Sequence, residues 1–72
     1  MSVMQKTYER LLRAKEVAQR TGLSTAYIYL LASEGKFPRS INLVPGGTSR
    51  AWIESEVNDW IESRINSGRG GK

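Results

Sequence analysis

Between Ser24 and Ser33 the chain carries Ser24, Thr25, Ala26, Tyr27, Tyr29 and Ser33, spaced so that most of them share the outer side of one short helix. Around this segment stand Arg13, Lys15, Arg20, Lys36, Arg39 and Arg50, with Thr48 and Ser49 just ahead of the last. Hydroxyls on a helix face, flanked by guanidinium and ammonium groups, are suited to touching base edges and neutralising phosphates. The same inventory lacks the parts for most catalysis. There is no histidine and no cysteine, which removes the commonest general base, the imidazole and thiolate metal ligands, and every His-based triad. The seven acidic residues are scattered without forming an acid–base pair. No enzyme activity, metal, cofactor or small-molecule ligand is expected.

The distribution of charge says more than its total of +4. Residues 1–50 hold eight Lys/Arg against three Asp/Glu, whereas residues 51–66 hold one Arg against four acids, and Arg69 and Lys72 follow. Cations therefore gather where the hydroxyl-bearing helix lies, and acids gather on a later segment. This is the charging expected of a nucleic-acid face and of an opposite, solvated face.

The elements that position these groups can be read from turn and cap chemistry. Residues 15–20 form a first helix without a conventional N-cap, since Arg13 or Ala14 stands where Ser, Thr or Asp is preferred. Gly22 fits a tight turn because it reaches positive φ without a Cβ clash. Ser24 is a good N-cap for a second helix running from Thr25 to about Glu34 and stopping at Gly35. Val17, Ala18, Leu23, Ile28 and Leu31 fall where a helix-turn-helix needs its core, with small Ala18 at the crossing. A plain αα-hairpin is the competing reading of this spacing.

Phe37 is a core anchor, and Pro38 forces it into extended backbone. Residues 41–44 and 49–53 read as strands joined by a turn at 45–48, a hairpin that forms a wing when it follows a helix-turn-helix. The Gly46-Gly47 pair makes no phosphate-binding loop, for it lacks the Lys-Ser/Thr and the following helix. Residues 54–66 form an amphipathic last helix with Val57, Trp60, Ile61 and Ile65 as its stripe. Trp52 and Trp60 are assigned to the core rather than to base stacking, because a small domain needs their area. Leu11 and Leu12, joined by Tyr8, form a short extended segment under the core. Tyr29 has two readings, a reach toward a base or phosphate and packing on its flank. Leu30 has three readings, contact with a thymine methyl, packing against the following loop and a place in a partner surface, of which packing comes first. At 72 residues this is one domain, with a flexible segment at 1–9, the folded part at 10–66 and a disordered basic tail at 67–72. No signal peptide or membrane span is apparent, so the expected location is the bacterial cytoplasm with the nucleoid.

With these segments in place the chain resembles the AlpA-type family of small prophage regulatory proteins, within the wider group of excisionase-like and MerR-like winged helix-turn-helix domains. The resemblance rests on RLLRAKEVAQRTGLS at residues 10–24, on IYLLASEGKFPRSINL at 28–43, and on W-x-x-x-E-V-x-x-W at Trp52, Glu56, Val57 and Trp60. It implies a mainly α fold with a small β-hairpin, and a DNA-binding transcriptional regulator of a prophage or mobile element that controls integrase expression or excision. The implied partners are double-stranded DNA and either a phage integrase or RNA polymerase, with cooperative or dimeric assembly on DNA. The second helix would enter the major groove, and the hairpin would approach a neighbouring minor groove or the backbone. Similar proteins carry basic residues where this chain has Thr25 and Leu30, so the mode of sequence reading does not carry over. An excisionase that bends DNA and recruits integrase would use the same domain. A protein-interaction module of the anti-repressor kind, acting through Ala26, Tyr29 and Leu30, is the alternative of another class.

Overall fold

The computed structural model describes residues 9–70. The chain runs β1 (Leu11–Leu12), α1 (Ala14–Thr21), α2 (Thr25–Ser33), β2 (Ile41–Asn42), β3 (Arg50–Ile53) and α3 (Glu54–Gly70). The strands form one antiparallel sheet in the order β1-β3-β2. Leu11 and Leu12 pair with Ile53 and Trp52 on one edge of β3, and Ile41 and Asn42 pair with Ala51 and Arg50 on the other. The expected winged helix-turn-helix is present, and the extended segment at Leu11 and Leu12 is a third strand of the wing sheet.

Local chemistry explains the helix-turn-helix. Arg13 has no acceptor to offer the first amides of α1, so only half a capping box forms: the backbone N–H of Arg13 donates to Glu16 Oε1 at 3.0 Å. Gly22 ends α1 in left-handed backbone, φ 79°, and its N–H donates to the Ala18 carbonyl at 2.8 Å. Ser24 Oγ then accepts from the Tyr27 N–H at 3.1 Å and starts α2. At the far end Gly35, φ 76°, lets the Lys36 N–H reach back to Leu31 O (2.8 Å) and its own N–H to Ala32 O (3.1 Å). This paired closure is a Schellman motif.

The core is Leu12, Val17, Ile28, Phe37, Trp52 and Val57, with Ala14, Ala18, Leu23, Leu31, Ala32, Trp60 and Ile61 packed against it. Both indoles fasten the segment that leaves α2. Trp60 Nε1 donates to Lys36 O at 2.8 Å and Trp52 Nε1 to Pro38 O at 2.9 Å, while the Phe37 and Trp60 rings meet edge to face at 4.7 Å. The backbone on either side of Phe37 is thereby pinned just before Arg39.

Four expectations need correction. The hairpin ladder is shorter than residues 41–44 and 49–53, because Pro45 has no N–H to donate and the Asn42 side chain substitutes for strand pairing. Its Nδ2 donates to Gly47 O at 2.9 Å and its Oδ1 accepts from the Val44 N–H. The tip itself is a turn closed by the Gly47 N–H on Val44 O (2.8 Å), with Pro45 followed by Gly46 at φ 78°, the pattern of a type II turn. The helix expected to end at 66 continues to Gly70, since Gly68 does not take the left-handed backbone that stops α1 and α2. Residues 67–70 are thus helical rather than a disordered tail. Ile65 is 48% exposed and Leu30 also 48% exposed: the one lies beyond the end of the core, and the other stays half open instead of being covered by packing. The segment 1–8, including Tyr8, and residues 71–72 lie outside the described residues.

Candidate nucleic-acid interface

The side chains of α2 divide between core and solvent. Ile28 is fully buried, and Leu31 and Ala32 pack on the core beside it. Thr25, Ala26, Tyr27, Tyr29, Leu30 and Ser33 are all exposed. Tyr29 packs on its flank, its ring meeting Trp52 edge to face at 5.4 Å, and the residue remains 44% exposed. Two hydroxyls are already occupied within the helix, Ser24 Oγ as the cap and Ser33 Oγ as donor to Leu30 O at 2.7 Å. Ser24 Oγ keeps its own O–H to donate and Ser33 Oγ its lone pairs to accept, while Thr25 and the two tyrosines have both capacities open.

Beyond the end of α2, Ala32, Ser33, Arg39, Ser40 and Arg50 line a cleft of 310 Å³ between the helix and the root of the wing. None of the lining residues is acidic. Arg50 Nη1 donates to Ser40 Oγ at 3.5 Å, a long bond that leaves most of its donors unused. Its main-chain carbonyl accepts from Arg13 Nε at 2.9 Å, so Arg13 ties the start of α1 to the wing. Among the described residues Lys15, Arg39 and Arg50 have no carboxylate within ion-pair distance. Two fork-shaped guanidiniums facing one small cleft can hold a phosphate or another tetrahedral anion. Thr48 is exposed on the loop and Ser49 is half buried, its carbonyl accepting from the Leu43 N–H.

Not every cation singled out from the sequence joins this group. Arg20 binds Glu54 at 2.7 Å and Asn58 Oδ1 at 3.2 Å, both on α3. It therefore anchors α1 to the last helix instead of standing free. Arg10 meets Glu16 at 2.9 Å and the same Glu54 at 3.8 Å, completing a small network. With side chains 33% and 27% exposed, the Arg20–Glu54 pair is only partly screened. Arg20→Gln is expected to lower stability by up to about 1 kcal/mol in a urea titration. Lys36 is exposed and sits 3.4 Å from Glu34.

Ser40 is not among the residues that the sequence singles out for the site. Ser40 could have been picked out from its place between Arg39 and the strand that pairs with Arg50. A second cleft of 350 Å³ is lined by Arg20, Leu23, Trp60, Ile61, Arg64 and Ile65 among others, none of which lines the first.

Comparison with known proteins gives two matches. A family model described as "Prophage CP4-57 regulatory protein (AlpA)" matches residues 10–65. The "Uncharacterized protein ORF88" of Enterobacteria phage P4 is 46% identical over 59 residues, covering 82% of this chain. The aligned region spans 65% of that relative's length. No solved structure matches the chain at comparable significance.

Proposed function

The chain belongs to the AlpA family of prophage regulatory proteins, and from that premise we propose that it is a sequence-specific DNA-binding transcriptional regulator acting through residues 10–66. In this reading α2 lies in the major groove with Ser24, Thr25, Ala26, Tyr27, Tyr29 and Ser33 toward the bases. Arg39, Arg50 and Lys15 take phosphates, with Lys36, Thr48 and Ser49 at the margin and Arg13 holding the wing in place. Arg20 leaves the phosphate set, since Glu54 already occupies it. The observation that carries the proposal is the acid-free cleft in which Arg39 and Arg50 stand beside the exposed end of α2. A helix with a free outer side and unpaired guanidiniums at one end matches a duplex, whose bases lie in a groove between phosphate rows.

Control of integrase expression, directly at a promoter or by bending DNA for the recombinase, is the regulatory task that fits this domain. An integrase or RNA polymerase would be the protein partner, and copies of the chain would cooperate on adjacent sites. Among the described residues no helix is long and apolar enough to cross a membrane.

A fluorescence-anisotropy titration against duplexes from the gene's own neighbourhood, at two salt concentrations and with scrambled duplex as competitor, tests the proposal. Three or four phosphate contacts predict a log–log salt slope of roughly −3 to −4, together with binding that survives the competitor. Arg20→Gln should bind like the parent. Absence of binding, or affinity indifferent to salt, would sink the proposal and favour a protein partner for the same face.

A further inference from the structure

The outer side of α2 is most informative in what it omits. From Ser24 to Ser33 there is no Arg or Lys to grip guanine O6 and N7, no Asn or Gln to bracket adenine, and no Asp or Glu to accept from the cytosine amino group. These are the side chains that read three of the four bases in the major groove. Beyond the contacts that hydroxyls can make with any base, the feature left is the thymine C5-methyl group, which is met by apolar side chains. That is what α2 presents: Ala26 is exposed and Leu30 is 48% exposed with no core neighbour to claim it. Ala26 and Leu30 are four residues apart and so adjacent on the helix surface. Ser33 continues the same side and lines the cleft that holds Arg39 and Arg50, so the apolar pair lies next to the cationic cleft.

We infer that Ala26 and Leu30 read thymine methyl groups, with Leu30 as the specificity-determining residue, and that the site is recognised through T·A pairs rather than through guanine. The inference rests on the DNA-binding reading above. The hydroxyls nearby do not compete with it. Ser24 and Ser33 are engaged within the helix, and Thr25 and the tyrosines can bond to more than one base, which orients the helix without selecting guanine.

The test begins with short duplexes of randomised core, enriched by repeated rounds of binding to the full chain. The enriched sequences are then made three ways: with thymine, with uracil, which lacks the C5-methyl, and with 7-deazaguanine, which lacks the N7 acceptor. Uracil should weaken binding about fourfold for each methyl lost, while 7-deazaguanine leaves it unchanged. Leu30→Ala removes an exposed side chain, so the fold survives, and it should abolish most of the preference for thymine over uracil. Equal binding of thymine and uracil duplexes, loss of binding with 7-deazaguanine, or a full thymine preference retained in Leu30→Ala would each overturn the inference while leaving DNA binding intact. So would a pool that binds but never converges on a sequence. If no duplex binds at all, the DNA-binding reading falls and this inference with it.

Discussion

Trp52→Ala is expected to remove about half or more of the domain's stability at 25 °C. The indole is fully buried, meets the Tyr29 ring edge to face at 5.4 Å, and donates Nε1–H to Pro38 O at 2.9 Å. Truncating a buried Trp costs about 3–5 kcal/mol, and a domain of this size holds only about 4–11 kcal/mol in all. Urea titration followed by far-UV circular dichroism should show a midpoint reduced by half or more. Trp52→Phe is the informative companion. It retains most of the buried area but loses the donor to Pro38, at a cost of about 1–3 kcal/mol for the orphaned carbonyl. Because Pro38 precedes Arg39 directly, this variant should also weaken DNA binding under conditions where it is still folded. A Trp52→Phe protein with parental stability would show that the indole hydrogen bond does not hold the wing root.

The second large effect concerns binding. Removing both cleft guanidiniums in Arg39→Ala/Arg50→Ala should lower DNA affinity by on the order of tenfold or more at low salt, as charge-assisted hydrogen bonds are lost. It should also reduce the salt slope by about two, one for each phosphate contact. The loss should be nearly uniform across sequences, since phosphates carry no sequence information. Both side chains are exposed and unpaired with any carboxylate among the described residues, so the unfolding free energy from a urea titration should stay within about 0.5 kcal/mol of the parent's. Unchanged affinity in the double variant would remove the cleft from the interface.

The contrast between these residues and others shows where sequence reading succeeds. Ser24, Gly22 and Gly35 act on their own neighbouring backbone, so the helix-turn-helix was visible from short stretches. The core stripe of α3 was likewise visible in its spacing, up to Ile61. What escaped depends on distant partners. Arg20 looks like any surface cation until Glu54 and Asn58 are brought to it from α3. Arg13 looks like a phosphate ligand until β3 places the Arg50 carbonyl beside it. The wing tip misled for a different reason: Asn42 closes the loop with its side chain, an alternative to strand pairing that β-propensity does not record. The end of α3 misled because a glycine-rich stretch permits a coil but does not require one, and Gly68 adopts no stopping conformation.

The central claim, that the outer side of α2 and the root of the wing together form the DNA-contacting face, is tested most directly by mapping amide chemical shifts of the ¹⁵N-labelled chain during titration with a specific duplex. The largest changes are expected at Thr25, Ala26, Leu30 and Ser33 and at Arg39, Ser40 and Arg50, with the amides of α3 beyond Trp60 nearly still. Changes concentrated instead around Leu23, Ile61, Arg64 and Ile65 would place the contact on the second cleft and contradict the account.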